Sequence, residues 1–80
     1  MSELIVYDRK SIIIYVDEEW KYNLLSIAKK LARKGIHVET MLSNTCSMFA
    51  SAETQVDLES ILKKFKMIKR WEEELTITTP

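Results

Sequence analysis

The chain has 80 residues, with twelve Lys and Arg against twelve Asp and Glu, and a single Gly, Pro and Cys. That length allows one domain around one modest core and leaves no room for a second. Balanced charge supplies no whole-molecule field to draw the chain to nucleic acid or to an anionic membrane, so either partner would need a local patch. The longest unbroken apolar run, "IIIYV" at 12–16, is far short of a membrane span, and "MSELIVYDRK" lacks the basic and long apolar regions of a signal peptide. An intracellular, cytoplasmic setting is therefore expected. Cys46 has no second cysteine to pair with, and His37 is the only histidine, so neither an internal disulfide nor a zinc site is expected, and no cofactor.

In chain order, "ELIVYD" and "SIIIYVD" are β-branched, aromatic-rich runs separated by the polar "DRK", which is either a tight turn or a bend within one long strand. From 17 to 34 the period changes: Trp20, Leu24, Ile27, Ala28 and Leu31 recur at helical spacing, with Asp17 or a neighbour as N-cap. Glu18 and Glu19 lie at the positive end of that helix and Lys29, Lys30, Arg33 and Lys34 at the negative end, which suits its dipole. Gly35 then stops it, since glycine takes the left-handed position after a helix at least cost. "IHVETML", the turn "SNT" and "CSMFAS" read as an antiparallel hairpin. "TQVDLESILKKFKMIKRW" carries a second apolar stripe, Val56, Leu58, Ile61, Leu62, Phe65 and Ile68, behind a capping pattern running from Thr54 to Asp57. "ELTITTP" alternates and is the candidate last strand.

Strand, helix, strand, strand, helix, strand is most economically an α+β, ferredoxin-like βαββαβ two-layer sandwich: a four-stranded antiparallel sheet with both helices on one face. Residues 3–7 are a candidate extra N-terminal strand. On this plan Ile36, Val38 and Leu42 point inward, while His37, Glu39 and Met41 share the open face with Ile13 and Tyr15. Such a face is more apolar than water favours, and something is expected to cover part of it.

With that order in place, "SIIIYVDEEWKYNLLSIAKKLARKGIHVETMLSN" resembles the first half of an ACT domain, the small-molecule-binding regulatory module of aspartate kinases and other amino-acid biosynthetic enzymes. The shared features are a strand, a loop, an apolar-spaced helix, "A-x-x-G-I" and a strand of the form "I-x-V-x-x-M". "ELIVYDRKSIIIYV" is similar to the segment leading into the first such domain of aspartate kinases, and "VDLESILKKF" to the family's second helix, so the resemblance spans roughly 3–66. It implies one free-standing regulatory domain that binds an amino acid between two subunits of a homodimer, with no catalytic part. The ligand would touch the loop from Asp17 to Asn23, with Asp17 or Glu18 accepting from its ammonium and Asn23 and His37 orienting it. There are two departures from the family: Lys21 and Tyr22 stand where a Pro-Gly pair is usual, and His37 where Asn is frequent.

Each candidate has a plainer alternative. His37 is also readable as a half-exposed strand residue, and Asp17, Glu18 and Glu19 as solvated, dipole-matching acids. No nucleophile has a base nearby and no pair of groups suggests acid-base work, so catalysis is not expected. "KKFKMIKRW" mixes basic and aromatic residues as nucleic-acid platforms do, yet helical spacing accounts for it with Phe65 and Ile68 buried and the lysines solvated, so nucleic acid is not the expected partner, and a nucleic-acid-binding ferredoxin-like protein stands as the second alternative. An oligomerisation or protein-interaction module without a ligand remains the competing role.

Overall fold

A computed structural model describes residues 8–77; the candidate strand at 3–7 and the last residues of "ELTITTP" lie outside them. The first strand, β1, is Asp8–Val16, so "DRK" belongs to one long strand. Its polar residues are accommodated at the sheet's end: Lys10 donates to the Val56 carbonyl at 2.6 Å and lies 3.8 Å from Glu73, and Arg9 donates to the Ser51 hydroxyl at 2.9 Å.

The expected helix over 17–34 forms in two pieces. Glu18–Asn23 is a 3-10 helix, and α1 proper is Leu24–Arg33. The Trp20 amide donates to the Asp17 carbonyl at 2.9 Å, the tighter one-to-four bond of a 3-10 turn. Leu24, Ile27, Ala28 and Leu31 are the buried face of α1, the spacing of one helical stripe. Gly35, at φ 91°, ends it: the Ile36 amide bonds the Leu31 carbonyl and the Gly35 amide bonds that of Ala32, the paired bonds of a Schellman stop.

The hairpin forms as expected, from β2, His37–Leu42, and β3, Ser47–Glu53. Between them lie a 3-10 turn, Ser43–Thr45, and Cys46 in the left-handed region at φ 52°. One detail differs. A register shift between Val38 and Thr40 leaves Glu39 without a ladder partner, a β-bulge. Beyond it the faces exchange: Thr40 and Leu42 oppose Phe49 and Ser47 on the open face, and Met41 opposes Met48 on the helix-covered side. Met41 and Leu42 therefore take the reverse of the faces expected from strict alternation.

The second helix, α2, is only Leu58–Leu62, and Asp57 is its N-cap rather than the closing residue of a capping box begun at Thr54, its carboxylate accepting from the Ser60 amide at 3.2 Å. Turns follow, with Phe65 and Ile68 bonding back to Leu62 and Phe65. β4 then runs Ile68–Ile77, starting well before the expected "ELTITTP". Trp71 lies opposite Ile14 in the β1 ladder. Phe65, Ile68 and Trp71 are spaced for a helix, and pairing with β1 overrides that spacing: a register shift between Tyr15 and Val16, which leaves Lys69 without a ladder partner, lets Ile68 and Trp71 share one face of β4.

The sheet order is β2-β3-β1-β4, antiparallel throughout, with both helices on one face: the ferredoxin-like two-layer sandwich. Ile12, Ile14 and Val16 of β1 and Met48, Ala50 and Ala52 of β3 make the sheet's side of the core. The small alanines leave room for Ile27 and Leu31 of α1 and Leu58 and Leu62 of α2 to approach. Among the described residues no helix is long and apolar enough to cross a membrane.

Leu31 is fully buried, so Leu31→Ala should lower unfolding stability by about 3 kcal/mol in chemical denaturation. At Gly35 an added Cβ would meet only Val56 Cγ2, at an ordinary 3.6 Å, so Gly35→Ala should cost just the left-handed backbone strain, about 1 kcal/mol.

Candidate functional site

Where β1 ends, the chain turns away from the sheet, and the Asp17 amide donates to the Met67 carbonyl at 2.8 Å. That bond holds the entry to the 3-10 helix beside the turn leading from α2 to β4. A cavity of about 580 Å³ opens between them. Trp20, Phe65 and Met67, all half-buried, form its apolar surface. Asp17 and Glu19 contribute negative charge from one segment; Lys30 of α1 and Lys64 and Lys66 of the turn contribute positive charge.

These charges are not spent on one another. Among the described residues the two ion pairs, Lys10 with Glu73 and Arg70 with Glu72, lie elsewhere. The Asp17 carboxylate, at the N-cap position of the 3-10 helix, makes no capping bond. An apolar surface edged by unspent charge of both signs suits a small molecule that carries both signs itself.

Of the residues singled out from sequence, Asp17 lines this cavity. Asn23 joins Glu19 and Trp20 around a shallower cleft of about 400 Å³, so Trp20 and Glu19 border both spaces. Glu18 is exposed on the 3-10 helix and lines neither. His37 lies at the other end of the sheet: it opposes Ser51, which opposes Ser11, six positions before Asp17. At about 3.3 Å per strand residue that is about 20 Å. There it neighbours a polar chain in which Arg9 donates to Ser51 and Ser51 to Glu39, at 2.9 and 3.2 Å. One subunit thus gathers Asp17 and Asn23 at one end and sets His37 at the other.

Tyr22, at the family's usual glycine position, does not fill the cavity. Its side chain is 85% exposed, with the Lys21 ammonium 5.2 Å from its ring centroid. Sequence reasoning missed Lys30, Lys64, Phe65, Lys66 and Met67 as site residues. For the four from the turn the signal was present in "KKFKMIKRW", but reading that stretch as helix hid the turn that sets them beside the loop after β1.

A second feature lies at a corner of the fold. Among the described residues the exposed large apolar side chains, Tyr22, Leu25, Met41, Leu42 and Phe49, come from the 3-10 helix, the start of α1, the end of β2 and the adjoining part of β3. The 3-10 helix holding Tyr22 contacts the turn after Leu42, so these elements adjoin. On the open face Ile13 opposes Phe49, and the Arg70 guanidinium stacks on Tyr15 at 4.0 Å. No cluster of three metal-ligating side chains occurs among the described residues.

Compared with protein-family models, curated proteins and solved structures, the chain shows no significant match. The architecture therefore defines its class: a ferredoxin-like domain, consistent with a small regulatory or binding module.

Because Lys64 and Lys66 are exposed and without ionic partners among the described residues, Lys64→Ala and Lys66→Ala should each leave stability within about 0.5 kcal/mol. Trp20→Ala, which strips the cavity and a core contact together, should cost about 3 kcal/mol on thermal or denaturant unfolding.

Proposed function

We propose that this chain is an ACT-like regulatory module that binds a small molecule, an amino acid, and works as a homodimer. The observation that carries the reading is the mixed-charge, apolar-surfaced cavity beside the loop from Asp17 to Asn23. An amino acid needs acceptors for its ammonium, donors for its carboxylate and a dry surface for its side chain. Asp17 and Glu19 supply the first, the lysines the second, and Trp20, Phe65 and Met67 the third. Asn23 lies on the same loop and lines the adjoining cleft, while Glu18 is exposed and lines neither space.

The dimer rests on the edges of the sheet. Among the described residues β2 and β4 are the edge strands, and β4 is guarded by the exposed charges of Lys69, Arg70, Glu72 and Glu73. β2 is poorer in charge and ends in Met41 and Leu42 at the apolar corner. Antiparallel pairing of two β2 edges about a two-fold axis would cover that corner and set the partner subunit's His37 beside Leu42, at the end bearing 17–23. That arrangement reunites residues one subunit keeps apart. The open face offers Arg9 and Arg70 against Glu39 and Glu72, which is no basic platform for nucleic acid.

A second reading, an oligomerisation module without a ligand, is favoured by the apolar corner taken alone. Calorimetry with each of the twenty amino acids separates the two. The expected result is binding by a subset, weakened about tenfold by Asp17→Asn and by about 1 kcal/mol in His37→Ala and Asn23→Ala, the worth of one hydrogen bond. Silence from all twenty would leave the oligomerisation module. Light scattering at micromolar concentration should return a dimer mass, and Leu42→Glu should return a monomer; a wild-type monomer would remove the dimer and with it the role given to His37.

A further inference from the structure

The cavity's charges do not balance for a neutral zwitterion. Asp17 and Glu19 share its lining with three exposed lysines, and those come from two elements: Lys30 from α1, Lys64 and Lys66 from the turn on either side of Phe65. A neutral amino acid satisfies one cluster of donors and leaves the other facing water inside an apolar-surfaced cleft. The volume, about 580 Å³, has room for a ligand reaching both. We propose that the cleft selects an amino acid bearing a second carboxylate, with its ammonium on Asp17 and Glu19 and its two carboxylates divided between Lys30 and the pair Lys64 and Lys66.

This inference rests on the amino-acid reading above and names the ligand class for that site. The aliphatic stem of such a ligand lies over Trp20, Phe65 and Met67, and the three charged groups fix its orientation at three points. Selectivity comes from the unmatched donors: a charge-assisted hydrogen bond from an exposed lysine at the rim, beside the half-buried Trp20, Phe65 and Met67, is worth about tenfold in affinity. A cationic amino acid would meet an excess of like charge and be rejected.

The test is calorimetry at low ionic strength with L-glutamate, L-aspartate, L-leucine, L-phenylalanine, L-lysine and glutarate. Glutamate or aspartate should bind about tenfold or more tightly than leucine and phenylalanine, and lysine more weakly than either. Glutarate, lacking the ammonium, should lose about tenfold relative to glutamate. In the Lys64→Gln, Lys66→Gln double variant, with folding checked by circular dichroism, the preference for the dicarboxylic ligand over leucine should fall to under threefold. Leucine, phenylalanine or lysine binding as tightly as glutamate would overturn the ligand class while leaving an amino-acid site in place. Glutarate matching glutamate would overturn the role of Asp17 and Glu19. Binding by none of these ligands, nor by any other of the twenty amino acids, would overturn this inference together with the reading it rests on.

Discussion

The double pairing of β1 is the constraint on which the other elements depend. It hydrogen-bonds to β3 along one edge and to β4 along the other, and it buries Ile12, Ile14 and Val16 on one face. A strand held on both sides cannot slip by one residue without turning those three side chains into water and setting Ile13 and Tyr15 against the helices. The register of β3 and β4 is thereby set. So is the face on which α1 and α2 must lie, because only that face is continuously apolar.

The candidate site follows from how β1 ends. The Val16 amide bonds the Cys46 carbonyl and the Asp17 amide that of Met67, so the last residues of the strand are tied to both neighbouring connections, each at 2.8 Å. The loop that leaves the sheet there starts from a rigid point, and the turn before β4 is held against it. A cleft between two such segments keeps its shape without a deep core behind it. Small domains have little interior in which to exclude water, so a site at the rim of the sheet, surfaced by half-buried Trp20, Phe65 and Met67, is what an 80-residue chain can build.

The same economy explains the surface. The interior is built from Ile, Leu, Val and Ala side chains with Met48, while among the described residues Tyr22, Leu25, Met41, Leu42 and Phe49 remain exposed. Both edges carry a register irregularity but differ in charge: β4 is charged along its described exposed positions, and β2 ends apolar. A bulge lets β2 twist and re-aim its last side chains, turning Leu42 to the open face and Met41 to the opposite side.

By itself the sequence determined the two-layer α+β plan, the stripe and glycine stop of α1, the β2 and β3 hairpin and the loop after β1 as the place to look for a site. These are local properties: a period of two or of 3.6, a cap, a residue that tolerates positive φ, each expressed within about ten residues of chain. Only the tertiary structure decided where α2 gives way to β4: Phe65, Ile68 and Trp71 are spaced by three, as a helix favours, and Ile68 and Trp71 share the face of Val16 and Ile14 only because the β1–β4 register shifts between Tyr15 and Val16. It alone placed the bulge at Glu39, whose cause is the pairing of β2 with β3. It alone assembled the cleft, because Asp17, Lys30 and Lys66 are far apart in sequence and meet only once the loop after β1 and the turn before β4 are held side by side by the strands they serve.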